Sequence, residues 1–96
     1  MAAKPLAYQQ ATSLNAAKTT AVATGSAIPS GTVWATVQAE AQDVRYTLDG
    51  TTPTATVGTL LKAGQPATIF LMTELQVAKW IEATASAKLN FQFYKN

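Results

Sequence analysis

The sequence contains no cysteine and no histidine among its 96 residues. Without cysteine the chain has no disulfide, no zinc-thiolate site and no thiol nucleophile, and its redox compartment is left open. Without histidine it lacks the commonest general base and the commonest transition-metal ligand. We therefore expect a protein that is not an enzyme and that holds no cofactor and no metal.

Charged residues are also scarce, at 12% of the chain, which is about half the usual share. The seven Lys and Arg residues are scattered from Lys4 to Lys95 and give a net charge of only +2. Because nucleic-acid binders cluster their basic residues, we expect no nucleic-acid partner. A Thr- and Ala-rich surface with few charges favours contact with other proteins, and the alternative is a soluble monomer with a Thr-rich sheet face.

Long apolar runs are missing as well. The longest strongly apolar run, Ile69–Met72, is too short to cross a bilayer. The N-terminus has one lysine before Pro5 and lacks the apolar stretch of a signal peptide. We expect no membrane partner, synthesis in the cytosol, and a chain that stays soluble or is built into a particle there.

The acidic residues form no recognisable catalytic pattern. A glycosidase needs two carboxylates facing each other across a cleft, and no pair stands out among the five. Calcium needs several oxygen ligands close together, so Asp49 with loop carbonyls is a thin basis for a site. Asp49 is more simply interpreted as a turn former. The five carboxylates are Glu40, Asp43, Asp49, Glu74 and Glu82.

The clearest structural signal lies in the segment Asp43–Gly64. Its first residues alternate, with Val44, Tyr46 and Leu48 on one side of an extended chain. Asp49-Gly50 is a strong turn signal, and a second apolar run follows at residues 57–61. The segment predicts a strand, an irregular loop, a second strand and a turn.

Other stretches predict further strands. Residues 32–40 place Val33, Ala35, Val37 and Ala39 on one face and Trp34 on the opposite face. The polar turn Glu40–Asp43 predicts a β-hairpin with the next strand. Strands are also predicted at residues 16–24, 67–72 and 89–94, the last with Leu89, Phe91 and Phe93 on one face. Residues 73–83 are ambiguous: we favour a strand with a bulge near Lys79-Trp80, and a helix capped by Thr73 is the alternative.

Together these signals predict one all-β domain, a single antiparallel β-sandwich or jelly-roll-like domain over residues 16–96 without substantial helix. An extended N-terminal arm is predicted over residues 1–15. The predicted core consists of Val37, Val44, Tyr46, Leu48, Leu60, Ile69, Leu71, Val77, Ile81, Phe91 and Phe93.

The predicted arm and the tryptophans are the candidate partner-binding elements. Pro5 blocks regular pairing in the arm, and Leu6, Tyr8 and Leu14 are too sparse to form a core face of their own. Leu6 and Tyr8 are its largest apolar groups, so they would anchor it on a neighbouring subunit. The alternatives are a frayed terminus and an integral strand. Trp34 and Trp80 are the other candidates. With Tyr46 and Tyr94 they could line a sugar-stacking face, although aromatic residues in a small β domain more often form its core.

The segment Val44–Gly64, VRYTLDGTTPTATVGTLLKAG, resembles a group of small phage and prophage virion proteins. The similarity includes the strand WATVQAE at residues 34–40 and the C-terminal stretch Leu89–Lys95, and it departs from the group at Tyr46-Thr47-Leu48. It implies a structural protein of a phage particle, in first place a capsid decoration or cement protein. Such a protein would bind the major capsid protein or other virion proteins, as part of a virion assembled in the host cytoplasm.

The symmetry of capsid junctions favours a homo-oligomer, with a trimer as our first expectation. The alternative position in the particle is the tail or the head–tail connector.

A different alternative comes from YTLDGTTPT at residues 46–54. This stretch is similar to the Ig-like domain appended to chitin-degrading and hexosamine-releasing enzymes, and it implies a carbohydrate-associated β-sandwich module.

Overall fold

The computed structural model describes residues 4–96, which form two antiparallel four-stranded sheets. Sheet A has the strand order β1-β8-β3-β6, and sheet B has the order β2-β7-β4-β5. The predicted β-sandwich is thereby confirmed. The strands are β1 (Lys4–Ala11), β2 (Lys18–Thr19), β3 (Trp34–Glu40), β4 (Val44–Thr47), β5 (Thr59–Leu61), β6 (Thr68–Leu71), β7 (Lys79–Glu82) and β8 (Lys88–Lys95), and the two short helices are α1 (Thr20–Thr24) and α2 (Met72–Val77).

The strand pairing is that of a jelly roll. Strands from opposite ends of the chain pair with each other, β1 with β8, β2 with β7, β3 with β6 and β4 with β5. This long antiparallel hairpin is then wound on itself, so that β8 also pairs with β3 and β7 also pairs with β4. Eight strands connected in this way make the double-sheet jelly roll.

The core lies between the two sheets and is built by alternation along the strands. In β3, Ala35, Val37 and Ala39 are buried, and they lie opposite Phe93, Phe91 and Leu89 of β8. Because successive side chains of a strand point to opposite faces, the residues between them face outward. The faces predicted for these two strands are therefore correct, except that Val33 precedes β3 and is exposed.

Trp80 of β7 lies at the centre of the core. Its ring centroid is 5.3–5.5 Å from those of Tyr46, Phe70 and Phe91. The indole Nε1–H donates to Thr20 Oγ1 at 3.0 Å, and the Thr20 hydroxyl donates to the Leu75 carbonyl oxygen at 2.8 Å. The two bonds satisfy the buried polar groups and tie both short helices to sheet B.

The expectation of an N-terminal arm is wrong for the part of the arm that the structure describes. β1 pairs with β8 from Lys4 opposite Lys95 to Ala11 opposite Leu89. Ala11 and Leu14 are fully buried. An edge strand needs only one apolar face, so the sparse apolar residues suffice, and a bulge between Pro5 and Ala7 accommodates the proline. The sandwich therefore begins before residue 16, and residues 1–3 lie outside the described part.

The hairpin predicted across Glu40–Asp43 is also wrong. β3 lies in sheet A and β4 in sheet B, so this link crosses between the sheets. Ala41 has a φ of 72°, and Asp43 Oδ1 accepts from the Ala63 N–H at 2.8 Å. A polar turn between two alternating stretches looks the same in sequence whether the strands pair or pack face to face.

Two segments predicted as strands contain short helices. Residues 73–83 begin inside α2 and continue as β7, and the Glu74 carboxylate accepts from the Leu71 N–H at 2.8 Å, so Glu74 rather than Thr73 caps this helix. In residues 16–24 only Lys18–Thr19 is extended before α1. Helices of five or six residues are too short to show a helical period in the sequence.

The predicted core list is correct for Val37, Val44, Phe91 and Phe93, which are fully buried. Tyr46, Leu48 and Ile81 are half-buried. The list is wrong for Leu60, Ile69, Leu71 and Val77, whose side chains are exposed. Ile69 pairs with Thr36 and Leu71 with Trp34, both on the outer face of sheet A, whereas Phe70 between them is buried.

Gly58, just before β5, offers a direct stability test of the loop that follows β4. Its φ is 130°, and an added Cβ would lie 3.2 Å from the Tyr46 carbonyl oxygen. We expect Gly58→Ala to lower the unfolding free energy by about 1–3 kcal/mol in urea titrations, because alanine disfavours this backbone region. Gly50→Ala is the control: its φ of 87° carries some strain, but a Cβ meets nothing within 4 Å. Equal losses for both variants would contradict the close approach.

Candidate binding surface on the outer face of sheet A

The outer face of sheet A presents three rows of uncharged side chains that run across the strands. One row is aromatic and apolar, the second is mixed, and the third carries amides. The rows are Pro5, Tyr94, Trp34 and Leu71; Tyr8, Gln92, Thr36 and Ile69; and Gln10, Asn90 and Gln38. Charged residues lie at the two ends of the sheet, where Glu40 pairs with Lys88 and Lys4 pairs with Lys95.

The aromatic row is built on a stacked pair. The rings of Trp34 and Tyr94 are 4.1 Å apart and nearly parallel, at 9°. Because the two rings are stacked, each ring covers one face of the other. Tyr46 and Trp80 pack together inside the sandwich. The structure therefore does not bring the four aromatic residues of the predicted sugar-stacking set onto one face.

The four predicted partner-binding residues have different environments. Tyr8 is 56% exposed, and Trp34 is half-buried on the same outer face. Leu6 packs against the core. Trp80 is fully buried, so its predicted role as a direct contact residue is wrong: no partner reaches this ring in the folded protein.

A shallow depression of about 240 Å³ lies in the middle of the face. Asn90 is the hub of the hydrogen bonds around it. Its Oδ1 accepts from the Tyr8 hydroxyl at 2.7 Å and from Gln10 Nε2 at 2.8 Å, while its Nδ2 donates to Glu40 Oε1 at 2.8 Å. These bonds fix the orientation of the Tyr8 ring. The lining residues are Tyr8, Thr36, Gln38, Ala67, Asn90 and Gln92.

The two edges of sheet A differ in how they are protected. β1 carries Lys4, Pro5 and a bulge, all of which discourage pairing with another strand. β6 is uncharged and, among the strands of residues 4–96, has no neighbour on its outer side, and its Ile69 and Leu71 are 60% and 54% exposed. β6 is therefore the open edge of this sheet.

Four of the five carboxylates accept hydrogen bonds, three from backbone N–H groups and one from the Asn90 amide: Asp43, Asp49, Glu74 and Glu40. Asp49 Oδ1 accepts from the Thr51 N–H at 3.0 Å, and hydrogen bonds from Thr51 lower the pKa of Asp49, in agreement with a turn former. Burial raises the pKa of Tyr46, and the nearby negative charge of Glu74 adds to this shift. Within residues 4–96 there is no group of three or more acidic side chains that could hold a metal ion.

The fold and this face define a small jelly-roll β-sandwich in which the outer face of sheet A is mostly uncharged. Comparison of the chain with protein families, curated proteins and solved structures gave no match. The resemblance to phage virion proteins therefore stays an expectation from the sequence motifs. In residues 4–96, neither helix has the length and apolar character needed to cross a membrane.

Proposed function

We propose that this protein is a non-enzymatic structural protein of a bacteriophage particle, a decoration or cement protein that stabilises capsomer junctions. The observation that carries the proposal is the uncharged outer face of sheet A together with the open edge β6. The motifs of Val44–Gly64 support it, and jelly rolls are used in viral capsid proteins. A fold alone does not specify a function, so the surface is the main support.

A cement protein needs contact area rather than reactive groups. A stable contact buries more than about 1,000 Å² in total, and exposed apolar side chains such as Ile69 and Leu71 contribute about 25 cal/mol per Å² of apolar area. Burying this face also avoids the desolvation cost of charged groups. The open edge offers a second mode of contact, in which a strand of the partner extends sheet A.

The proposed partner is the major capsid protein or another virion protein. Since capsid junctions are symmetric, the protein would be a homo-oligomer there, in first place a trimer. A tail or head–tail connector component would use the same kind of surface but would be present in far fewer copies.

The deciding measurement is the copy number per particle by quantitative mass spectrometry, in phage particles assembled with this protein. Hundreds of copies would support decoration, whereas about six or twelve would indicate a connector or tail ring with cyclic symmetry. Absence of the protein from purified particles would contradict the proposal.

A matched pair of variants tests the surface itself. We expect Ile69→Lys to reduce incorporation into particles at least tenfold, because a lysine blocks an open edge and charges the face. Val57→Lys is the control, since Val57 is similarly exposed at 55% but lies in the loop before β5, outside sheet A. If both variants are incorporated like the wild-type protein, the contact lies elsewhere.

A further inference from the structure

The polar groups that line the depression on sheet A are oriented by hydrogen bonds to the protein, and they can still form hydrogen bonds with a ligand. Gln92 Nε2 donates to the Ala7 carbonyl oxygen at 2.9 Å, and Gln38 Nε2 donates to the Gln65 carbonyl oxygen at 3.1 Å. A glutamine amide has two donor hydrogens and an acceptor oxygen with two lone pairs. Gln92 Nε2 also donates to the Phe93 carbonyl oxygen at 3.4 Å, so Gln92 offers a ligand its acceptor oxygen. Gln38 offers a ligand its second donor hydrogen and its acceptor oxygen. Thr36, which pairs with Gln92, is also in the lining.

The lining also has an aromatic platform. Tyr8 is more than half exposed, and the bond from its hydroxyl to Asn90 fixes the ring at the side of the depression. Asn90 is itself held by Gln10 and Glu40. A site whose groups are fixed by surrounding hydrogen bonds loses little conformational freedom when a ligand binds.

The amides and the Tyr8 ring that line the depression favour one class of ligand. The lining residues include no cation to receive an anion, and the nearby Glu40 carboxylate disfavours negative charge. A purely apolar ligand would cover the amides without pairing them, which is unfavourable. A ring with several neutral hydroxyl groups fits both requirements, because its hydroxyls pair with the amides and its C–H face packs against Tyr8.

We propose that this depression, formed by Tyr8, Gln38, Asn90 and Gln92, is a binding site for a neutral saccharide. At about 240 Å³ it is smaller than the roughly 300–1,000 Å³ of sites for drug-sized ligands. It therefore takes a single sugar ring, such as the terminal residue of a glycan. The site differs from the stacking set predicted from the sequence, and it goes beyond the structural role proposed above. It lies on the same outer face of sheet A as the proposed capsid contact, so the sugar binds the free protein or a copy whose depression that contact leaves uncovered.

The test is a titration of the free ¹⁵N-labelled protein followed by NMR, so its outcome does not depend on assembly into particles. The probes are the methyl glycosides of glucose, galactose, mannose and N-acetylglucosamine. We expect at least one probe to shift the amide signals of Gln38, Asn90 and Gln92, with a Kd of about 1 mM, as for a weak single-ring contact. Glucuronic acid, which is anionic, should bind more weakly than the matching neutral sugar.

Three variants separate the site from non-specific effects. Tyr8→Ala and Gln92→Leu should each weaken binding at least tenfold, while Gln76→Leu, at an exposed position of α2, should bind like the wild-type protein. An unchanged Trp80 indole signal verifies that each variant is folded. The proposal is overturned if no neutral probe produces shifts, if the shifts lie outside this face, or if Gln76→Leu weakens binding as much as Gln92→Leu.

Discussion

Removal of residues 1–14 is expected to unfold the domain. The deletion removes strand β1, which pairs with β8 along its length, and it removes the buried side chains of Ala11 and Leu14. Each fully buried aliphatic side chain of leucine size contributes about 1.5–3 kcal/mol, and the lost strand also uncovers Phe91 and Phe93. Since small domains have only about 5–15 kcal/mol of net stability, the truncated chain should lack a cooperative unfolding transition.

Circular dichroism during a urea titration measures this outcome directly. The control is removal of residues 1–3 alone, which leaves β1 intact and should preserve the transition. A truncated protein that lacks residues 1–14 and still unfolds cooperatively, with its β spectrum intact, would restore the interpretation of this segment as a detachable arm.

The second large effect is expected at the two tryptophans, which have opposite environments. Trp80→Ala should lower the unfolding free energy by about 3–5 kcal/mol or more, because it opens a cavity among Tyr46, Phe70 and Phe91. It also removes the indole donor to Thr20. Trp34→Ala removes only a stacked pair on the outer face, which is worth about 0.5–1.5 kcal/mol beyond its area.

Circular dichroism is again the suitable probe, because each variant loses one of the two fluorescent tryptophans. The two variants serve as controls for each other, since both replace a tryptophan with alanine. Similar losses for the two variants, or a larger loss for Trp34→Ala, would contradict the placement of Trp80 at the centre of the core.

The alternation of apolar and polar residues predicted those strands of which one face is buried. The inward residues of β3 and β8 and the outward position of Trp34 follow from a period of two. Asp49-Gly50 marked its turn because the chemistry is local: the Asp49 carboxylate bonds the Thr51 N–H, and Gly50 has a φ of 87°. Local signals of this kind are fully present in the sequence.

Features that depend on distant partners were not predictable in the same way. Only the pairing of β1 with β8 shows that residues 4–11 belong to the sheet, and only the crossing at Glu40–Asp43 places β3 and β4 in different sheets. The depression was missed for the same reason. Its amides lie on β3 and β8, but Tyr8 joins them from a strand more than 80 residues earlier than Asn90.

The register of β1 against β8 also determines when the domain can form. Lys4 lies opposite Lys95, so the first described strand has its neighbour only after the chain has been synthesised as far as β8. Contacts of such long sequence separation have a large loop-closure entropy and slow the folding of two-state domains, with time constants of about milliseconds to seconds in all-β proteins. Until β8 arrives, the hydrogen-bonding edge of β1 stays unpaired, and the nascent chain is open to association with its neighbours.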